Sequence, residues 1–200
     1  MKSTIFYVHG KGGNPSESDF YAKLFPCMNV VGAEYNGNKP WEVSPELIEQ
    51  FIRATKDSDK VVLIAVSIGA FLSMNALFNQ KIDKALFVSP VTDMERLIQN
   101  MMSWSGVTEK QLESLGEIDT DFGETLSWQY LSYVRKKTIV WNVPTHVVYG
   151  SADNLVALDT VENFVKNHKA TLSVMDGGEH WFHTEQQLAF LAEQAKQFIK

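Results

Sequence analysis

A serine, an aspartate and a histidine, each placed just past the end of an apolar run, could together carry out acyl transfer, and this chain holds all three. The run Lys60-Val61-Val62-Leu63-Ile64-Ala65-Val66 breaks off at Ser67, and Ile68-Gly69-Ala70 opens a helix-like pattern. Ala65 and Gly69 supply the small side chains needed two residues either side of a serine raised on a sharp strand-to-helix turn. Thr145-His146-Val147-Val148-Tyr149-Gly150 is followed by Ser151-Ala152-Asp153, and Ala170-Thr171-Leu172-Ser173-Val174-Met175 by the loop Gly177-Gly178-Glu179-His180. Serine is a weak nucleophile at its own pKa and needs a base within hydrogen-bond reach. His180 could take that proton and return it to a leaving group, while Asp153 orients the imidazole and stabilises its charged form.

Rival assignments exist for each position. Ser67 could cap a helix after a buried strand. Asp153 could cap a helix beginning near Val156, with Asp159 falling inside that helix. His183 lies three residues beyond His180, and the pair beside Glu179 suggests a metal site only weakly, because the spacing lacks a framing motif. His146 and His168 read as strand and surface residues.

The elements that must position these side chains alternate between strand and helix, the pattern of a parallel sheet covered on both faces. Strands are expected at 3–8, 28–35, 60–66, 84–89, 145–150 and 170–175. A helix is expected from about Ser44, with Pro45 at its first turn and Leu47, Ile48, Phe51 and Ile52 at helical spacing. Another is expected over 68–79. Thr4-Ile5-Phe6-Tyr7-Val8 runs into the flexible loop His9-Gly10-Lys11-Gly12-Gly13-Asn14-Pro15. That loop is no dinucleotide fingerprint, since Pro15 occupies the position of a required glycine, and it does not contain the G-x-x-x-x-G-K-[ST] pattern of a P-loop. No cofactor and no metal is implied.

The Ala-x-Ser-x-Gly turn at 65–69, the His9-Gly10 loop and the chain order Ser67, Asp153, His180 together resemble the α/β-hydrolase family over nearly the whole chain. Ala65 departs from the glycine usual at that position. The resemblance implies a cofactor-free serine hydrolase with a minimal α/β-hydrolase fold: one domain over 1–200 and a mostly parallel sheet of about six strands with helices on both faces. The antiparallel N-terminal strands of larger members are expected to be missing. The backbone N–H groups of Ile68 and Lys11 would form the oxyanion hole, with Gly12 the alternative to Lys11.

Between Pro90 and about Trp141 the alternation stops, and some fifty amphipathic residues follow without an evident strand, too many for a structureless loop in a compact domain. The family inserts its cap at this point of the chain, which implies a helical cap over 91–141. Met101, Met102, Trp104, Phe122, Trp128 and Tyr130 would then offer an apolar roof to an acyl group, or simply pack the cap. The substrate implied is a small-molecule ester of a small or medium acyl group. Thioesterase, amidase or peptidase, lyase and perhydrolase chemistry, or a non-catalytic binding protein of the same fold, are the alternatives.

Composition bounds these readings. At 200 residues and 44% hydrophobic content the chain suits a single domain that buries roughly 70% of its unfolded surface. A net charge of −6 and a pI near 5.4 argue against nucleic-acid binding. Cys27 is the single cysteine, the N-terminus has no signal-peptide pattern, and no stretch approaches the roughly 20 apolar residues of a membrane span. A cytoplasmic protein with no membrane partner is expected.

Overall fold

The computed structural model describes residues 2–200 and divides them into two compact units, one built from residues up to Thr92 together with Val140–Lys200, the other from Asp93–Ile139. In the first unit, strand β1 (Ser3–Val8) leads through a short 3-10 turn (Pro15–Ser18) to α1 (Asp19–Leu24) and β2 (Asn29–Gly32). Next come α2 (Pro40–Thr55), β3 (Lys60–Val66), α3 (Ile68–Ala76) and β4 (Lys84–Val88). The second unit holds α4 (Met94–Trp104), α5 (Glu109–Leu115), β5 (Glu117–Asp119), β6 (Thr125–Ser127) and α6 (Trp128–Lys136). The chain then returns to the first unit with β7 (Thr145–Gly150), α7 (Leu158–Asn167), β8 (Ala170–Met175) and α8 (Glu185–Ile199).

Six strands pair in the order β2-β1-β3-β4-β7-β8, every pairing parallel. The register sets Val8 beside Ala65, Val66 beside Val88, and Gly150 beside Met175, so the carboxyl ends of β1, β3, β4, β7 and β8 share one edge. Sequence reading alternates cleanly only where one face is wet; β3 is covered on both, and Val62, Leu63, Ile64 and Ala65 have no exposed surface. On one face Ile5, Tyr7, Ile64, Leu86 and Val148 pack with Phe182, Leu191, Ala195 and Ile199, the last three from α8. On the other, Phe6 meets Phe51 of α2 edge-on at 5.3 Å, and Phe87 lies 5.6 Å from Trp141 and 6.2 Å from Phe164 of α7. Each such buried aliphatic or aromatic side chain contributes about 1.5–3 kcal/mol, which makes the sheet a stiff base for whatever its edge carries.

Four local expectations need correction. Helix α2 starts at Pro40, not near Ser44: Lys39 is the cap and Pro40 the pre-set first residue, while Pro45 sits inside the helix, where it can donate no backbone hydrogen bond. Its buried stripe is Pro40, Val43, Leu47 and Phe51, and Ile52 is 51% exposed. Strand β2 is limited to Asn29–Gly32, and at its end Gly32 comes so close to the Pro15 carbonyl that a Cβ would stand 2.2 Å from its oxygen. α3 ends at Ala76. The inserted segment is not purely helical: β5 and β6 form an antiparallel hairpin around a turn in which Gly123 has φ +82°. Its strands are three residues each, too short to show a period of two.

Within that second unit, Arg135 ties α6 to the neighbouring helices through Glu95 at 2.8 Å and through Glu109. Among the described residues no helix is long and apolar enough to cross a membrane.

Candidate active site

Ser67 stands between the last residue of β3 and the first of α3 with φ +51° and ψ −123°, a conformation a non-glycine residue holds only when its surroundings force it. Those surroundings are visible. The Ser67 N–H donates to the Val88 carbonyl at 2.9 Å, and its own carbonyl accepts from Ala70 at 3.1 Å and from Val91 at 3.0 Å. Gly69 is pressed against the end of β1: a Cβ there would lie 2.4 Å from the His9 oxygen and 2.6 Å from that of Val8. Bulk at 69 would push α3 away and release the turn. Ala65, two residues before the serine, is fully buried in the core.

His180 comes from the loop after β8 and Asp153 from the loop after β7. The His180 Nδ1–H donates to Asp153 Oδ2 at 2.7 Å, and His180 Nε2 stands 2.8 Å from Ser67 Oγ. A carboxylate only accepts, so Nδ1 carries the proton, and neutral Nε2 is left to accept the serine hydroxyl. The Asp153 side chain is fully buried and that of His180 is 18% exposed. Asp153 Oδ1 accepts from the Leu155 and Val156 amides at 2.8 and 2.9 Å, which turns the chain and delays α7 to Leu158. One carboxylate thus caps a turn with one oxygen and holds the imidazole with the other. Burial, then the carboxylates of Asp153 and Asp159, push the Tyr149 hydroxyl up to about 12, and it donates to the Val156 carbonyl at 2.7 Å.

The third strand end brings the glycine-rich loop. A Cβ on Gly10 would lie 3.3 Å from Ser67 Cβ, so this loop passes directly beside the serine. The Gly10 carbonyl accepts from His9 Nδ1 at 2.7 Å and from the Gly13 amide at 3.1 Å, and Tyr35 donates its hydroxyl to the His9 carbonyl while stacking on the His9 ring at 4.2 Å. In a trans peptide the N–H points away from the carbonyl of the same plane, so tying down Gly10 O also fixes the direction of the Lys11 N–H. Gly12, with φ +73°, has open space around it.

Met101, Met102 and Trp104 lie on α4 and Trp128 opens α6, all in the second unit. Met102 and Tyr130 are buried, Trp104 is half exposed and meets Phe122 edge-on at 6.1 Å, and Trp128 and Tyr133 help line a surface groove of about 680 Å³ with Ser132 and Lys136. His183 is occupied elsewhere: its Nδ1 bonds the Trp181 carbonyl at 2.7 Å and its ring stacks on Trp181. Among the described residues no three His, Cys, Asp or Glu side chains gather in a way that could hold a metal ion.

Two features had escaped the sequence. Ser89, one residue past β4, also has positive φ (+43°), and its fully buried hydroxyl has no partner among the described residues. Glu17 bonds back to the glycine loop; the pattern Asn14-Pro15-x-Glu17, a cap with a carboxylate three residues on, was the available signal.

A strand order of this kind, a strained serine at the end of a central strand, and partners from the ends of the last two strands define the α/β-hydrolase fold, which this chain has. It is similar to Est1E from Butyrivibrio proteoclasticus, solved with ferulic acid bound, at a TM-score of 0.78 and 16% identity, over 98% of this chain and 88% of that one. It is also similar to a thermophilic esterase of Thermogutta terrifontis, Est2, solved with butyrate bound, at a TM-score of 0.68 and 18% identity, over 99% of this chain and 82% of that one. In sequence, 104 residues are 31% identical to "Putative esterase/lipase 3" of Mycoplasma genitalium, covering 46% of this chain and 37% of that protein. The match therefore spans well under half the length of the curated relative. No family model matches the chain.

Proposed function

We propose that this protein is a cofactor-free serine hydrolase that cleaves an ester of a small or medium acyl group through an acyl-enzyme. The observation that carries this reading is the continuous hydrogen-bonded line from Asp153 through His180 to Ser67. In it, Ser67 Oγ attacks the carbonyl carbon as its proton passes to His180 Nε2; the imidazolium is held by Asp153 and returns the proton to the departing alkoxide. Water then repeats the sequence on the acyl-enzyme and frees the acid. The developing oxyanion would be met by the N–H groups of Ile68, at the first turn of α3, and Lys11, whose direction is fixed by the tethered Gly10 carbonyl. The esterase of Thermogutta terrifontis with butyrate and Est1E with ferulic acid support an acyl group of that size range.

The test is labelling with a fluorophosphonate probe followed by intact-mass measurement. One adduct is expected on the natural chain and none on Ser67→Ala or His180→Ala. A folded natural chain that stays unlabelled would sink the hydrolase reading in favour of a binding protein. A panel of matched esters, thioesters and amides then separates esterase from thioesterase and amidase.

The 91–141 segment is, in the same proposal, the cap, and Met101, Met102, Trp104 and Trp128 its acyl-facing residues; its place after β4 supports this. Trp128→Ala should move the preferred acyl length while leaving the melting temperature within a few degrees. An unchanged length profile with a large loss of stability would assign the residue to packing.

A further inference from the structure

Backbone amides bind an oxyanion well only if they are already aimed before the charge appears. A loop with three glycines in four residues, Gly10-Lys11-Gly12-Gly13, cannot aim its own amides, because its residues have too much conformational freedom. Something outside it must do so. The structure places one carboxylate where three parts of the problem meet. Glu17 Oε1 accepts the Asn14 N–H at 3.2 Å, at the far end of the loop. Glu17 Oε2 accepts the Tyr7 hydroxyl at 2.6 Å, and Tyr7 is a fully packed residue of β1, 2% exposed. Between these, the carboxylate lies against the bare Cα of Gly13: a Cβ there would stand 2.7 Å from Oε1 and 3.1 Å from Oε2. Gly13 in turn donates its N–H to the Gly10 carbonyl at 3.1 Å, the group whose orientation sets that of the Lys11 N–H.

We infer that Glu17 is a positioning residue of the active site: it bolts the Gly10–Asn14 loop to β1 through Tyr7 and thereby aims the loop amide that meets the oxyanion. It touches no reacting atom. The inference rests on the serine-hydrolase reading above. The Pro15 carbonyl seated on Gly32 of β2 holds the far side of the loop and the His9 ring meets the Gly10 carbonyl at its start, so the Glu17 contacts act on the stretch between them, residues 11–14. A residue serving only to cap the short 3-10 turn over Pro15–Ser18 would influence thermal stability, whereas a residue that aims an oxyanion donor acts on the transition state and spares substrate binding.

The experiment compares the natural chain with Glu17→Ala, Glu17→Gln and Tyr7→Phe. It measures the second-order rate of fluorophosphonate labelling, kcat and KM on the best ester of the panel, melting temperature, and amide hydrogen exchange over residues 10–14. Glu17→Ala should lower both labelling rate and kcat by about 10- to 100-fold with KM within about twofold, since a misaimed donor loses part of the 10²- to 10³-fold worth of an oxyanion-hole contact. Glu17→Gln should recover to within about fivefold of the natural chain, because the amide oxygen still accepts from Asn14 and the amide N–H still reaches the Tyr7 hydroxyl. Tyr7→Phe should fall between the two. Labelling of Glu17→Ala within twofold of the natural chain, a loss confined to KM, or a Gln variant as poor as Ala would each overturn the inference. If the natural chain itself is not labelled, it is the hydrolase reading that fails. The bracing is then decided by exchange alone: faster amides at 10–14 in Glu17→Ala sustain it and unchanged amides refute it.

Discussion

The two flanks of Ser67 are held in different ways. On the side of Asp153 and His180 the restraint is mainly backbone on backbone: Ser151 N–H donates to Met175 O at 2.9 Å and Ala152 N–H to Gly178 O at 2.8 Å, while Gly178 N–H turns back to Met175 O at 3.2 Å and the Ser151 hydroxyl accepts the Gly177 N–H at 2.8 Å. The Ser151 and Ala152 bonds prolong the β7–β8 pairing past Gly150 and Met175, as a closing zip between the loops that carry Asp153 and His180. On the glycine-loop side the backbone bonds Gly13 N–H to Gly10 O and Glu17 N–H to Asn14 O lie within the loop itself, and side chains supply further ties: Tyr35 to His9 O, His9 Nδ1 to Gly10 O, Glu17 to Asn14 N and Tyr7. Backbone restraint tolerates most side-chain changes but fails abruptly where two chains need to touch. Side-chain restraint degrades by degrees. The same site thus combines one flank that is robust in sequence with one that is tunable.

The largest expected effect lies in the chemistry of the zipped flank. Asp153→Asn should fold, because an amide oxygen still caps the 155–156 turn, yet lose roughly 10³- to 10⁴-fold in turnover as His180 loses the partner for its tautomer and charge. Asp159→Asn, in the first turn of α7, should change turnover less than about threefold by the same argument. Equal losses in the two, measured as kcat on one ester, would dismiss the assignment. Next in size is the zip itself. In Gly150→Ala a Cβ would lie 2.2 Å from the Gly178 oxygen, a backbone atom that cannot swing aside. A loss of about 2–3 kcal/mol is expected, typical of overpacking, and chemical denaturation would read it. A neutral Gly150→Ala would show that the flank is as forgiving as the other one. Apart from the Asp159→Asn control, the smallest effect belongs to Glu17→Gln, whose partial recovery of activity is the graded response that side-chain tethers predict and a zip does not.

How much of this was legible beforehand depended on the range of the interactions. The six strands and the elbow at Ser67 were readable because apolar runs of five to seven residues ending in small or polar ones are local signals. His180 and Asp153 were readable as candidates because each follows such a run; that they lie within hydrogen-bond reach of Ser67 and of each other follows from the parallel register, which no single run encodes. The start of α2 was misplaced because Ser44-Pro45 and Lys39-Pro40 offer the same start signal and burial of Val43 decides between them. The β5–β6 hairpin depends on turn bonds such as Thr120 Oγ1 to Glu124 O at 2.7 Å, invisible as periodicity. Ser89 was missed because nothing in Phe87-Val88-Ser89-Pro90 announces a positive φ; it arises from its N–H bonding to Val148 O at 2.8 Å while Val88 O serves Ser67.

Under the proposed hydrolase reading, the strained backbone at Ser67 sets heat tolerance against reactivity at a single codon. Glycine would adopt φ +51° without the roughly 1–3 kcal/mol that a side chain incurs there, so Ser67→Gly should survive heating better than the natural chain while making nothing. Ser89 carries the same backbone liability, and the proposed reaction gives it no part. A random library passed through a heat step alone would therefore be expected to yield glycine at both positions, whereas one passed through heat and then an ester assay should keep serine at 67 and give it up only at 89. Sequencing the two sets of survivors would reveal, without any kinetic measurement, which of the strained residues selection is obliged to keep.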